Sequence, residues 1–338
     1  MGVCLSSCRT APQTCFIFSA RSMMACKRIS SYPPNQLINL YRVLGRTRYF
    51  KKPRSSDFPA IAAVLRLSSK YLVEHLRQRC LARLDADWPS NITGWDLRER
   101  RSTEEHGRYI PRDHCAHPIL VIELALNMNL PSILPAALYD LSRYGPSKIM
   151  TGTLSLPTAF EKFISKVNGS PLPPDKPVRL SRDLLSRTLR GREATQRYMA
   201  SFISKELYNR PPATECLNRI TPATESVNEK ESTSKPNESS RPCHESFYFI
   251  MLNILRSVGG IACGRDADPL FTLIQAREML TRTDFSDGQR QCGLKMCPPC
   301  KADFALATTK AREEVWSLLP QIFGLVDGEL GNSLLDLD

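Results

Sequence analysis

The first 56 residues contain no aspartate or glutamate, and nowhere in the 338 residues is there an apolar run long enough to cross a bilayer. The nearest approach, "HPILVIELALNMNL", is short and interrupted by polar residues, so no transmembrane helix is expected. A secretory leader with a clean apolar core is also missing, as are a nucleophile elbow, a phosphate-binding loop and a dinucleotide fingerprint. These absences remove the commonest motif-bearing enzyme classes and leave only an enzyme whose residues carry no motif. Period-two alternation of apolar and polar residues is almost wholly lacking. The expected fold class is therefore mainly α.

What is present is 42% hydrophobic content, enough for one large core or two small ones. The net charge of +12 is unevenly placed, because residues 1–56 hold ten Lys and Arg and so carry +10 of it. Such a head suits a phosphate backbone, an anionic membrane or an import receptor; solvated charge on a flexible terminus is the plainer explanation. "MGVCLS" fits myristoylation at Gly2 with Cys4 as a second anchor, and the acid-free composition fits a mitochondrial transit peptide. Both patterns are permissive, and the expectation is an intracellular protein of cytoplasm or nucleus. The twelve cysteines are scattered, which reads as free thiols in a reducing compartment. The sequons at Asn91, Asn168 and Asn237 are then chance matches.

The chain divides into a basic flexible segment (1–34), a helical module (35–150), a linker with helices (151–209), a flexible polar loop (210–245), a C-terminal helical region (246–325) and a tail (326–338). "TCFIFSA" is the one candidate strand before residue 35, and "NQLINLYRVLG" has helical spacing. Asp57 is placed to cap a helix that accepts Pro59 in its first turn and buries Ile61, Val64 and Leu65. After "SSKY", a second helix sets Val73, Leu76, Cys80 and Leu84 on one side and Arg77, Arg79 and Arg83 on a solvated face. A polar loop is expected over 88–117. The pattern then recurs: Leu67, Val73, Leu76, Cys80, Leu81 and Leu84 align with Leu124, Leu130, Ile133, Ala137, Leu138 and Leu141. Two stacked helical hairpins are expected. Further on, Ser181 can cap a helix that Gly191 interrupts, and the last helix runs from "CPPCKADF" through Phe304, Ala311, Val315 and Leu318 to stop at Pro320.

The first hairpin, with Leu65, Leu67, Lys70, Tyr71, Val73, Leu76, Cys80 and Leu84, resembles the second half of a BTB/POZ domain. "LINLYRVLGRTRYF", "VIELALNMNLPSILPAALYDLSRYG", "CGLKMCPPC" and "REEVWSLLPQIFGL" are similar to segments of fungal BTB-domain proteins. The resemblance spans about residues 35–325 and implies a non-enzymatic, protein-binding adaptor or scaffold for ubiquitin-ligase or transcriptional assemblies. It would also imply self-association and cullin docking, but the sheet-forming first half of that domain is not evident, so no cullin-contact residue is carried over.

"CGLKMCPPC" places Cys292, Cys297 and Cys300 within nine residues. A Cys-x-x-Cys pair fills two corners of a zinc tetrahedron, and Cys216, Cys243, His244, Cys263 or Cys292 could complete it. The set assigned to a structural zinc site is Cys297, Cys300, Cys292 and Cys243, against free or half-buried thiols. A helix N-terminus would also lower the first thiol's pKa, as in dithiol oxidoreductases, but no βαβ pattern precedes it. His114, Cys115 and His117 in "DHCAH" are read as surface loop. Three functions stay open: a protein-binding module, a nucleic-acid-associated factor using residues 1–56 and a zinc clip, and a thiol oxidoreductase.

Overall fold

Pro59 sits in the first turn of helix α1 (Phe58–Lys70), where its missing N–H leaves no bond unmade. The computed structural model describes residues 54–155, 176–218, 242–258, 263–286 and 291–325. The segments "TCFIFSA" and "NQLINLYRVLG", and all but the last residues of the basic head, lie outside that range. Ile61, Val64 and Leu65 are buried, as their spacing predicts. The helix closes where Leu72 takes a φ of 56° and the Val73 amide returns to the Ser68 carbonyl at 2.8 Å. Helix α2 (Glu74–Asp87) then buries Leu76, Cys80 and Leu84. Arg83 departs from the expected solvated face: it pairs with Asp87 at 2.8 Å, with little of its side chain in solvent.

The expected polar loop 88–117 instead holds α3 (Ile92–Arg101) and the short α4 (Pro111–His114). Asn91 caps α3 by accepting from the Gly94 amide at 2.7 Å. Its inner face is made by Trp95 and Arg98, so apolar periodicity gives no sign of it. The hairpin motif then returns as α5 (Pro118–Met128) and α6 (Leu134–Ser142). Asn129 has a φ of 51°, and the Leu130 amide bonds the Ala125 carbonyl at 2.9 Å, repeating the Leu72 turn at the aligned position. Both turns return the chain through one left-handed residue.

A buried ion cluster joins these elements. Arg98 lies between the rings of Trp88 and Trp95 and donates to the Asp87 carbonyl at 2.8 Å and to Asp140 at 2.7 Å. Arg112 and Arg143 also pair with Asp140, and Arg143 reaches Glu99 at 3.0 Å and Asp268 at 2.6 Å. Burial alone would raise the Asp140 carboxyl's pKa, but the three guanidiniums outweigh it and hold the group well below the usual carboxylate range.

After α7 (Pro146–Thr151), the strands β1 (Thr153–Ser155) and β2 (Lys176–Val178) form a small antiparallel pair. Helix α8 (Arg182–Ile203) is capped by Ser181, whose Oγ accepts from the Leu184 amide at 3.3 Å. Gly191 does not interrupt it. The Phe323 ring occupies the space beside Gly191, where a Cβ would lie 2.1 Å from a ring carbon, so the glycine admits close packing and the helix runs on. A π-helical turn, Ser204–Tyr208, follows. Helix α9 (Pro242–Ile254), helix α10 (Pro269–Glu278), the short antiparallel pair β3 (Phe285–Ser286) and β4 (Gln291–Cys292), and α11 (Pro298–Ile322) complete the described chain. Helix α11 passes through Pro320, where the sequence predicts a stop, and buries Leu319 more deeply than Leu318. Its end is closed by the Phe323 amide on the Leu319 carbonyl at 3.1 Å and by burial of the Phe323 ring.

The class is mainly α, with 11 α-helices among the described residues. Helix α11 packs on α10 and α8, and α8 packs on α6. Arg312 and Trp316 tie α11 back to α3 through Asp96 and the neighbouring Ser90 carbonyl, at 2.5 and 3.1 Å. A C-terminal core forms around Phe202, Phe247 and Phe304, with Phe247 and Phe304 edge to face at 5.6 Å. No helix among the described residues is long and apolar enough to cross a membrane.

Candidate metal centre

At the edge of that core the chain brings four cysteines together. Cys297 is the N-cap of α11, and Cys300 lies in its first turn, since two intervening prolines start the helix without needing amide partners. Cys243 is the second residue of α9. Cys216 comes from the segment after the π turn, which Arg210 anchors by pairing with Glu206 and with Asp303 of α11, the latter at 2.7 Å. All four sulfurs lie within 4.8 Å of one another. Cys216 to Cys243 is 3.8 Å and Cys297 to Cys216 is 3.7 Å, far too long for disulfides.

These spacings allow a test of fit. Zinc held tetrahedrally at about 2.3 Å from each sulfur requires sulfur–sulfur edges of about 3.8 Å. The two measured edges meet that value. Cys243, Cys297 and Cys300 are buried and Cys216 is half-buried, so the group is shielded without being sealed. A zinc ion held by all four sulfurs would have no position left for water or substrate, which is the arrangement of a structural centre and not a catalytic one.

The surroundings favour a thiolate at Cys297. The Ala213 amide donates to Cys300 at 3.4 Å, and the Cys297 amide and the Asn218 side chain donate to Cys243 at 3.4 and 3.2 Å. Burial works against ionisation of Cys297, but the Cys300 and Leu217 amides and the neighbouring thiols donate to its sulfur and bring its pKa down to about 6. Burial, the largest influence on Cys243 and Cys300, raises both. Cys297 is therefore the thiol of this group whose pKa its surroundings lower. Three of the four cysteines also stand at helix N-termini, Cys297 and Cys300 on α11 and Cys243 on α9, where the partial positive charge offsets thiolate charge.

No protein-family model matches the chain, and no similar curated protein or solved structure is found.

Three residues of the expected set, Cys243, Cys297 and Cys300, are in the group. Cys292 is not. It is half-buried in β4, paired in register with Phe285, and the extended residues between it and Cys297 carry it away from the helix N-terminus. Cys216 takes the fourth place. Neither Cys263 nor His244 contributes. Cys263 is exposed at the start of the 3-10 turn Gly264–Ala267, and His244 is exposed because the residue after Cys243 points about 100° away around α9. The segment 210–245, expected as a flexible polar loop, is structured at both described ends: Ala213 and Cys216 pack on the core, and α9 begins at Pro242. His114, Cys115 and His117 form no metal-ligating group. Cys115 is buried, and His117 caps α5 by accepting from the Ile119 amide at 3.3 Å. Among the described residues the four-cysteine group is the one cluster that could hold an ion.

Proposed function

We propose that this chain is a non-enzymatic interaction protein whose C-terminal helices are fastened by a structural zinc ion held by Cys216, Cys243, Cys297 and Cys300. The observation that carries the zinc reading is the four-sulfur group, all within 4.8 Å of one another, with two of its edges at the tetrahedral length. The ion would fix the segment after Arg210 to the starts of α9 and α11, three pieces far apart in sequence. Structural zinc in small sites supplies on the order of 10 kcal/mol, so its loss should unfasten this region. The protein-binding part of the reading is supported by the BTB-like hairpin residues and by large apolar side chains left in solvent, such as Leu72 at the first hairpin turn.

A thiol oxidoreductase reading is less well supported. It needs an accessible attacking sulfur, whereas Cys297 and Cys300 are buried. A nucleic-acid-associated factor keeps one observation in its favour, the +10 charge of residues 1–56. Salt-dependent binding to generic DNA that disappears when those residues are deleted would favour that second reading.

Elemental analysis of the purified full chain tests the zinc. One zinc per chain is expected, falling to near zero in Cys216→Ser and remaining near one in Cys292→Ser. Equal zinc in the two variants would remove Cys216 from the site, and absence of zinc from the wild type after growth in zinc-supplemented medium would overturn the reading. The double variant Cys297→Ser/Cys300→Ser should lose stability and have no insulin-reductase activity to lose. A robust Cys297-dependent reductase rate would instead establish the enzyme.

A further inference from the structure

Helix α9 is apolar on two faces. Cys243, Phe247, Ile250 and Ile254 point into the C-terminal core. On the other side, Tyr248, Leu252 and Leu255 remain 51%, 50% and 44% exposed. They recur at i, i+4 and i+7, with Leu255 opening the short 3-10 extension Leu255–Val258, so they share an arc of about 60°. A surface helix normally turns charged or polar side chains outward, and an outward apolar seam with this spacing is what one helix offers another.

The charges beside the seam select the partner. Glu245 stands at its start and Arg256 at its end, both exposed, and helical geometry puts both on the same edge of the stripe. Arg256 is loosely engaged, 3.7 Å from Asp266 with both side chains largely in solvent. When two such helices pack antiparallel about a two-fold axis, like edges face each other and the start of one meets the end of the other. With the two-fold axis near Met251, Glu245 of each copy comes within about half a turn of Arg256 of its mate, Tyr248 lies against Leu255, and Leu252 sits beside its own counterpart close to the axis. A parallel pairing would set like ends together and lose this complementarity.

We propose that the outward stripe of α9 is a self-association surface that packs antiparallel on the same stripe of a second copy of this chain. The proposal rests on the protein-binding reading above and deepens it by naming the partner; none of the stripe residues is a zinc ligand. Each helix end contributes opposite charge, so association is isologous and closes at two subunits.

Light scattering on the full chain over a range of concentrations tests it. The wild type should move from one to two chain masses as concentration rises. Leu252→Glu, which places two carboxylates together at the axis, should weaken the dimer at least about thirtyfold. Because Leu252 is half in solvent in the single chain, this variant is expected to fold. Glu245→Arg alone should weaken the dimer about fivefold, and the double reversal Glu245→Arg/Arg256→Glu should restore wild-type association. A wild type that stays monomeric at all concentrations, or a dimer indifferent to Leu252→Glu, overturns the proposal. A monomer that instead retains a different protein through Leu252 also overturns it, while leaving the protein-binding reading in place.

Discussion

Replacing Asp140 by asparagine would remove one negative charge from the point where three arginines converge. Asp140 is almost fully buried and pairs with Arg98, Arg112 and Arg143. Breaking a buried ion pair by deleting one partner typically costs about 3–5 kcal/mol, because the remaining charge stays desolvated. Here the losses are partly covered. Arg98 retains the Asp87 carbonyl at 2.8 Å and Glu99 at 2.5 Å, Arg143 retains Glu99 and Asp268, and the Arg112 side chain is 29% exposed and can take up water. The expected cost is therefore near the lower end, about 3 kcal/mol, read as a lower urea midpoint at pH 7. The pH dependence gives a second reading. The folded pKa of Asp140 is depressed, so its contribution is complete above the unfolded value of about 3.9. As pH falls below that value the unfolded chain takes up the proton first, and the contribution is lost as pH falls through the folded pKa. The gap between wild type and Asp140→Asn should thus be constant from about pH 8 to 5 and close below about pH 4. A variant as stable as wild type at pH 7, or a gap that widens in acid, would refute the account of the cluster.

Two smaller predictions concern the hairpins. Leu72→Asn should stabilise the chain by about 1 kcal/mol, because Leu72 holds a left-handed conformation that asparagine adopts more readily and its side chain is 87% exposed, with no packing to lose. A lower melting temperature in this variant would show that Leu72 packs on something. His117, which caps α5, is held largely by burial at a pKa of about 4, below its unfolded value of about 6.5. Its neutral form favours the fold, so the stability linked to it is full above about pH 6.5 and falls between there and about pH 4. His117→Asn keeps a capping oxygen and does not titrate, and its melting temperature should fall less between pH 7 and 5 than that of wild type. Identical slopes would place the acid sensitivity elsewhere.

Much of the helical architecture can be read from local pattern. The two hairpins are carried by Leu76, Cys80 and Leu84 and by Ile133, Ala137 and Leu141, whose burial follows helical spacing. The Ser181 cap is equally local. The features that local pattern misses depend on partners distant in the chain. Helix α3 hides behind Arg98, a residue that reads as solvent-facing until Trp88, Trp95 and Asp140 surround it. Gly191 and Pro320 look like breaks, yet Phe323 packs on the first and closes the helix end after the second. The metal site divides in the same way. The Cys297–Cys300 pair is visible because its spacing is intrinsic to a helix start. Cys292 is near in sequence but turned aside by β4, whereas Cys216 is remote and brought in by the Arg210 contacts to Glu206 and Asp303. No spacing rule links Cys216 to Cys297.

X-ray absorption at the zinc edge on the purified full chain tests the central claim most directly. The account predicts a single shell of four sulfur scatterers at about 2.3 Å in the wild type. A shell containing nitrogen or oxygen in the wild type, or a chain that binds no zinc at all, would contradict it.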